Sequence, residues 1–239
     1  MRILLCSDAH GNAAALAAVL DEPADYVLCA GDLVHFGPQP EACIDLVRQR
    51  AAAAVRGNHD HGCGYEEDCR AYGSWHVLDD MSRGFTDTGL SADDHRYLRT
   101  LPLQHTVTLG ETRFTLVHAA PSNPLYRYLP PDTAGDVWRT ELSGLDTDVL
   151  VLGHTHLPLL HRHRGVLIIN PGSVGLPRDC DPRAAYAMWE DGDVTFHRLA
   201  YDRAPLVEAL ERLTLPRDEL RKLVQLFEGR WQPETQTGP

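Results

Sequence analysis

The sequence predicts an α/β domain with two packed sheets, because short apolar runs alternate with helical segments from the N-terminus onward. Residues 2–7 and 26–30 are typical of buried strands, and residues 51–55 form a third such run. Helical patterns at residues 12–20 and 40–49 separate these runs. Polar residues gather where each strand ends, and parallel βαβ units place their ligands at that edge of a sheet.

The middle of the chain predicts further helices and strands. Residues 91–94 have the form of a capping box, which opens a helix up to Arg99. The runs 107–109 and 113–117 flank a hairpin turn. A Pro-rich loop over residues 121–131 precedes a helix. The remaining helix and strands are expected at residues 132–142, 149–152, 157–161, 166–169, 184–189 and 194–198.

The end of the chain carries amphipathic helices, from Tyr201 to about Phe227. No disordered linker interrupts the chain before them. We therefore predict one domain over residues 1–200, with a helical extension over residues 201–239 packed on the same domain.

The composition disfavours several classes of protein. The 239 residues carry a formal charge of −12 and contain no cluster of Lys and Arg. Nucleic-acid binding usually needs a basic face, so we expect no stable nucleic-acid complex, and a nuclease is disfavoured. No apolar run approaches the roughly 20 residues that cross a bilayer, and the first residues lack a secretory signal. We expect a cytoplasmic protein without a membrane partner; the sequence does not indicate its oligomeric state.

The six cysteines form no CxxC pair. Cys63 and Cys69 flank an acidic loop, where they could pair with each other or bind a metal. Both alternatives are disfavoured, because no further ligands surround these two residues at zinc spacing.

Five polar clusters each follow an apolar strand. Their side chains are mostly carboxylates and imidazoles, which suit Mn, Fe, Zn or Ni. Each cluster alone is also typical of a turn or a helix cap. Their repetition at successive strand ends favours a single shared site. The clusters are Asp8-Ala9-His10, Gly31-Asp32, Gly57-Asn58-His59-Asp60, His118 and Gly153-His154-Thr155-His156.

These clusters, read in order as D-x-H, GD, GNHD, H and GHxH, resemble the calcineurin-like metallophosphoesterase superfamily. The phrase at residues 170–175, with Pro177-Arg178-Asp179, resembles its small bacterial and archaeal YfcE-like branch. The resemblance covers roughly residues 1–200. It implies a four-layer α-β-β-α sandwich, in which two mixed sheets lie face to face with helices outside.

The resemblance also implies two divalent metal ions, with Mn expected and Fe, Zn or Ni as alternatives. Asp32 would bridge the ions and keep them about 3.5–4 Å apart, and a hydroxide between them would attack phosphorus. His59 would be the general acid that protonates the leaving group. One ion would be held by Asp8, His10, Asp32 and His156, and the other by Asp32, Asn58, His118 and His154.

The sequence departs from the protein phosphatase branch, in which xxDRG follows GD. His35 stands near that position and cannot replace a carboxylate partner of the catalytic histidine, so protein phosphatase activity is disfavoured. Arg178 and Asn123 lie in loops near the predicted cleft and are candidates for substrate binding. A surface Arg and a turn Asn are the alternatives.

We therefore predict a hydrolase for a small phosphodiester, with nucleotide-like esters as one candidate. A phosphomonoesterase and a non-catalytic metal-binding scaffold are the alternatives, and the presence of His59 favours an enzyme. The loop 119–131 either covers the edge of the sandwich or forms a substrate wall on which a base stacks. If it is a wall, Tyr126→Ala or Tyr128→Ala should raise KM for a nucleotide diester.

Overall fold

The computed structural model describes residues 1–70 and 74–231 of the chain. Within these ranges there are ten strands and eight helices. The strands are β1 (Arg2–Cys6), β2 (Tyr26–Cys29), β3 (Ala53–Ala54), β4 (Gln104–Leu109), β5 (Thr112–Val117), β6 (Val149–Val151), β7 (Leu159–His163), β8 (Val166–Asn170), β9 (Ala184–Glu190) and β10 (Asp193–Leu199). The helices are α1 (Ala13–Leu20), α2 (Pro40–Arg50), α3 (Asn58–Tyr65), α4 (Ser74–Gly89), α5 (Ala92–Thr100), α6 (Gly135–Glu141), α7 (Ala204–Glu211) and α8 (Arg217–Phe227).

The strands form two mixed sheets of five. The first sheet has the order β10-β9-β1-β2-β3, in which β1, β2 and β3 are parallel and β9 and β10 run antiparallel to their neighbours. The second has the order β4-β5-β6-β8-β7, with β5, β6 and β8 parallel. Both sheets therefore present the carboxyl ends of parallel strands, which is where loops can carry a site.

Four layers result from the way apolar side chains alternate along the strands. Ile3 and Leu5 of β1 point towards Phe114 of β5, in a core that lies between the sheets. Leu4 and Cys6 point the other way, into a core that α1 and α2 cover. On the outer face of the second sheet, Trp138 of α6 packs on Leu150. The predicted α-β-β-α sandwich is confirmed.

Several local signals correspond to observed caps. Asn12 caps α1 through its Oδ1, which accepts a hydrogen bond from Ala15 N at 3.1 Å. At the start of α5, Ser91 Oγ accepts from Asp94 N, and Asp94 Oδ2 accepts from Ser91 N. The predicted capping box is therefore confirmed.

One strand and one helix begin later in the structure than the sequence predicts. The strand expected at 157–161 begins at Leu159, because Pro158 has no N–H to donate to a ladder and β7 pairs with β8 from Leu159 onward. The helix expected from residue 132 begins at Gly135, because Thr133 N and Oγ1 both donate to the Pro130 carbonyl in a preceding turn. Helices α3 and α4 have no counterpart in the prediction.

Helices α7 and α8 pack on the sandwich through an apolar cluster. Leu206 and Leu210 of α7 and Leu223 of α8 lie in it with Phe36 and Leu176, which belong to loops of the first 200 residues. The division into a domain and an extension at residue 200 stays a prediction, and residues 232–239 of the extension lie outside the described residues. None of the described helices is both long and apolar enough to span a membrane.

Leu223→Ala tests whether the extension unfolds together with the domain. Leu223 is fully buried, so the substitution should lower the free energy of unfolding by about 2–5 kcal/mol in a single denaturant transition. Lys222→Ala, at an exposed neighbouring position, should change it by less than about 0.5 kcal/mol. A normal main transition in Leu223→Ala, with an early loss of helical signal, would mean that the extension unfolds separately.

Candidate metal centre

The polar clusters of the sequence meet at one end of the sandwich. Asp8 and Asp32 lie just beyond β1 and β2 in the first sheet, and Asn58 opens α3 after β3. His118 directly follows β5, and His154 lies beyond β6 in the second sheet. Parallel strands from both sheets thus deliver these side chains to a common point.

One group of side chains has closely spaced ligand atoms. His10 Nε2 lies 3.1 Å from His156 Nε2. His156 Nε2 lies 3.3 Å from Asp8 Oδ1, and His10 Nε2 lies 3.7 Å from Asp32 Oδ2. All four side chains are buried. They are the four residues that the resemblance assigns to one ion.

A second group meets on the other side of Asp32. His118 Nε2 lies 3.1 Å from Asp32 Oδ2 and 3.1 Å from Asn58 Oδ1. His154 Nδ1 lies 3.1 Å from the same amide oxygen. Asp32 Oδ2 therefore faces both groups, which is the position that a bridging carboxylate requires.

Backbone carbonyls orient three of the imidazoles. The Nδ1 atoms of His10, His118 and His156 lie 3.1, 2.7 and 2.6 Å from the carbonyl oxygens of Val34, Ala30 and Leu176. A carbonyl only accepts, so each Nδ1 carries a proton, and Nε2 of each ring in its neutral form would present a lone pair to the cluster. This second layer of contacts is typical of metal-binding histidines.

The lone pairs of His10 and His156 face each other. Burial lowers the pKa of both imidazoles well below the ordinary value, so both are neutral. Two neutral acceptor nitrogens 3.1 Å apart repel each other unless a cation lies between or beside them. The pair is arranged for a bound ion.

The buried carboxylates of Asp8 and Asp32 also require positive charge nearby. Burial raises the pKa of Asp8 to about 7, although His118 partly offsets this effect. Asp8 Oδ2 is buried and has no hydrogen-bond partner among the described residues. For His118, burial opposes the charged form, but Asp32 raises its pKa to about 9. A divalent cation would supply the missing charge, so this donor set fits the metals that the resemblance implies.

Backbone strain is concentrated in the same residues. Non-glycine residues rarely adopt positive φ, and each such residue costs on the order of 1–3 kcal/mol. Five of the seven proposed ligands have φ between 47° and 66°, and strain of this kind is typical of functional sites. They are Asp8, His10, Asp32, His154 and His156.

Because Gly57 has no side chain, the start of α3 can lie close to the Asp32 carboxylate. A Cβ at this position would collide with Asp32 Oδ1. The same oxygen accepts a hydrogen bond from His59 N at 2.9 Å. Only glycine lets the start of α3 come this close to the shared carboxylate.

Residues 1–192 match the calcineurin-like phosphoesterase superfamily domain. The chain belongs to this superfamily. Among its curated relatives, MJ0912 of Methanocaldococcus jannaschii, an uncharacterized protein, is 29% identical over 239 aligned residues, covering 90% of this chain and 93% of the relative. Phosphodiesterase YfcE of Escherichia coli K12 is 28% identical, over 81% of this chain and 89% of its own length.

Two solved structures share the fold along nearly the whole chain. A metallophosphoesterase from Sphaerobacter thermophilus is 33% identical and has a TM-score of 0.77, covering 94% of this chain and 98% of that one. The hypothetical protein PH1004 of Pyrococcus horikoshii has a TM-score of 0.78 at 19% identity, covering 93% of this chain and 97% of that one, which shows the fold alone.

His59 of this phosphoesterase lies at the edge of the metal-binding groups. A ring nitrogen of His59, an oxygen of Asp32 and a ring nitrogen of His10 lie within 4.8 Å of one another. On its other side, His59 Nδ1 lies 3.0 Å from Asp79 Oδ1. Burial alone would lower the pKa of His59, but the neighbouring Cys69, Asp32 and Asp79 raise it well above the ordinary value.

Asp79 is a functional residue that no sequence motif marks. It belongs to α4 and supplies His59 with the carboxylate partner that the DRG motif supplies in protein phosphatases. One signal was present: Trp75, Leu78, Asp79 and Ser82 have the i, i+3, i+4, i+7 spacing of a buried helix face, and all four are buried. A carboxylate on such a face needs a partner.

Asp60 connects α3 to the loop after β2. Its Oδ2 accepts hydrogen bonds from Asp32 N at 2.8 Å and Gly57 N at 3.0 Å, and its Oδ1 accepts from Leu33 N at 2.7 Å. The side chain is fully buried. Asp60 thus positions the backbone of Asp32.

The two candidates for substrate binding have different surroundings. Arg178 is half-buried, stacks on the Trp75 ring at 4.0 Å, and lies in the field of Asp8 and Asp32. The side chain of Asn123 is exposed, and its Oδ1 accepts from Tyr126 N at 3.2 Å within its own loop. Arg178 therefore faces the site, whereas the observed contact of Asn123 is a turn contact.

The loop 119–131 contributes one aromatic ring to the site. The Tyr128 ring lies 5.9 Å from that of His154, is 45% exposed, and lies close enough to Arg178 to interact with its guanidinium. Tyr126 instead stacks with the Arg70 guanidinium at 4.4 Å. Tyr128 is thus the aromatic side chain of this loop that a substrate at the metals would meet.

Proposed function

We propose that this phosphoesterase hydrolyses a small phosphodiester with two divalent ions, held by Asp8, His10, Asp32, Asn58, His118, His154 and His156. The observation that carries the proposal is the pair of ligand groups that share Asp32 Oδ2, with lone pairs turned inward by backbone carbonyls. Mn is the proposed metal, with Fe, Zn or Ni as alternatives, because the donors are oxygen and nitrogen.

The ions, when bound, would neutralise the phosphate and activate a water for in-line attack. The chain's own residues supply the rest. Arg178 offers one guanidinium to a non-bridging phosphate oxygen. His59, held by Asp79, donates a proton to the leaving oxygen.

A diester is favoured over a monoester by the charge available for the phosphate. A monoester dianion usually calls for more than one cationic side chain, and Arg178 is the one arginine that we place at the site. The relative YfcE is named a phosphodiesterase, which also supports this choice. We propose no nucleic-acid partner, since the chain has a formal charge of −12.

A non-catalytic scaffold is the second candidate. The pairing of His59 with Asp79 argues against it, because a scaffold needs ligands for its ions but no positioned acid. A phosphomonoesterase has the same metal ligands and differs only in the groups that receive the phosphate.

A substrate panel tests the proposal. Protein stripped of metal and reloaded with Mn²⁺ or Ni²⁺ should hydrolyse diesters, such as bis-nitrophenyl phosphate and small nucleotide diesters, with a higher kcat/KM than the matching monoesters. A higher kcat/KM for the monoesters would support the phosphomonoesterase. Metal-loaded protein that is inactive on the whole panel would support the scaffold.

Tyr128→Ala should raise KM for a nucleotide diester. Stacking of a base on an aromatic ring is worth about 1–3 kcal/mol, which corresponds to at least a several-fold change in KM. Hydrolysis of a small nitrophenyl diester, which has no base, should change little.

Tyr126→Ala is the matched control for that substitution. Tyr126 stacks with Arg70 and lies in the same loop, so its loss should affect KM for the nucleotide diester less than the loss of Tyr128. Equal responses of both substrates to Tyr128→Ala, or no response, would mean that the loop is structural.

A further inference from the structure

A second buried group of metal-binding side chains lies beside the proposed centre. It consists of His35, His59, Cys69 and Asp79, here called the Cys69 cluster. They come from the loop after β2, the first turn of α3, the loop after α3, and α4. All four are at most 4% exposed, and one ligand atom of each lies within 4.8 Å of the others.

Three ligand atoms of the Cys69 cluster form a tight triangle. His35 Nδ1 lies 2.8 Å from Asp79 Oδ1, and His59 Nδ1 lies 3.0 Å from the same oxygen. The two Nδ1 atoms lie 3.0 Å from each other. All three sides of the triangle are therefore within hydrogen-bonding distance.

Hydrogen bonds cannot satisfy all three sides of this triangle. An ionised carboxylate only accepts, so both Nδ1 atoms must carry protons to bond Asp79. The Nδ1 atoms of His35 and His59 would then both be donors 3.0 Å apart, so they could not bond each other and their like partial charges would repel. If one proton is removed, that nitrogen sets a lone pair against the carboxylate oxygen instead. A cation among the three atoms makes every side favourable.

Cys69 adds a fourth ligand from a separate direction. Its Sγ lies 2.8 Å from Asp79 Oδ2, closer than sulfur and oxygen approach in an ordinary thiol hydrogen bond. The donors are thus one sulfur, two imidazole nitrogens and a carboxylate. Four ligands of these types are typical of tetrahedral zinc, whereas Mn prefers harder oxygen donors.

We propose that the Cys69 cluster is a third cation site, which binds Zn²⁺ through His35 Nδ1, His59 Nδ1, Cys69 Sγ and a carboxylate oxygen of Asp79. This site is distinct from the two-ion centre, with which it shares no ligand. Zinc–nitrogen bonds of 2.0–2.1 Å imply ligand separations of roughly 3.3 Å, so the observed triangle would open by a few tenths of an ångström.

The third site lies on the side of His59 that faces away from the proposed two-ion centre. A Zn²⁺ ion there would engage Nδ1 of His59 and leave Nε2 as the only ring nitrogen available to a substrate. It would also join α3 to α4 through His59 and Asp79. The proposal does not depend on the substrate or on the activity of the two-ion centre.

Cobalt substitution tests the third site without an activity assay. Full-length protein, stripped of metal and loaded with Co²⁺, should show the near-ultraviolet charge-transfer band of a thiolate-bound ion. The two-ion centre has only oxygen and nitrogen ligands, so it cannot produce this band. Cys69→Ser should lose the band and one of three bound ions. Cys43→Ser, a control at a buried cysteine of α2, should retain both.

Asp32→Ala separates this proposal from the proposed function, because it should keep the band while it loses the two-ion centre. X-ray absorption of Zn²⁺-loaded Asp32→Ala protein should then show one sulfur at about 2.3 Å, without any cysteine substitution. A folded wild-type protein without the band would overturn the proposal. A band that survives in Cys69→Ser, or a zinc spectrum without sulfur, would also overturn it.

Discussion

Asp32→Ala should remove both ions of the proposed two-ion centre and abolish phosphoester hydrolysis. Asp32 Oδ2 lies 3.7 Å from His10 Nε2 and 3.1 Å from His118 Nε2, so one carboxylate serves both ligand groups. Metal catalysis contributes several kcal/mol, and the loss of both ions should lower kcat/KM by at least about 10³-fold. Elemental analysis of Mn²⁺-loaded, desalted protein measures the loss of metal.

Asp8→Ala is the matched control, because Asp8 belongs to one ligand group. It should release one ion and keep the other. Asp32→Asn retains the shape of the side chain and an oxygen that can accept from His59 N, so it separates metal loss from misfolding. An Asp32→Ala protein that still holds two ions tightly in this centre would refute the bridging role.

His59→Asn should keep both ions but slow the hydrolysis of esters with poor leaving groups by about 10²–10⁴-fold, the usual range for general acid catalysis. The bond from residue 59 N to Asp32 Oδ1 is a backbone bond, so the substitution should leave the bridging carboxylate in place. A nitrophenyl diester, whose leaving oxygen needs little protonation, should lose much less activity. Steady-state kinetics on both esters measure the difference.

Asp79→Asn extends the test of His59. Asp79 Oδ1 lies 3.0 Å from His59 Nδ1, and an amide in its place should weaken the hold on the ring and reproduce part of the leaving-group dependence. Equal losses on good and poor leaving groups in His59→Asn would point to a positioning role for this histidine, with no proton transfer.

Much of the fold and the ligand set could be predicted from the sequence, because each proposed ligand lies next to the strand that positions it. Asp8, Asp32 and His118 follow apolar runs directly, and the carboxyl ends of parallel strands meet at one edge. The four-layer arrangement came from the family resemblance, since the spacing of apolar residues cannot show that two sheets face each other.

The partners of His59 could not be predicted, because they depend on contacts between distant segments. Asp79 lies 20 positions after His59 in the sequence, on a helix that no motif marks. On sequence spacing alone, no further ligands surround Cys69. In the fold, His35 and Asp79 reach it from other elements, which spacing along the chain does not reveal.

The positive φ angles also could not be predicted from the sequence. Asp and His seldom adopt a left-handed backbone, and hydrogen bonds around the site help to hold them there. For example, Asp8 N donates to the Gly31 carbonyl and His10 N to the Asp32 carbonyl. Such strain depends on tertiary contacts, which one chain segment does not encode.

Anomalous diffraction tests the central claim most directly. A crystal of the wild-type protein grown with Mn²⁺, measured at the manganese edge, should show two peaks about 3.5–4 Å apart, with Asp32 between them. One peak should lie against Asp8, His10 and His156, and the other against Asn58, His118 and His154. A single peak among these seven residues, or none, would contradict a two-ion centre.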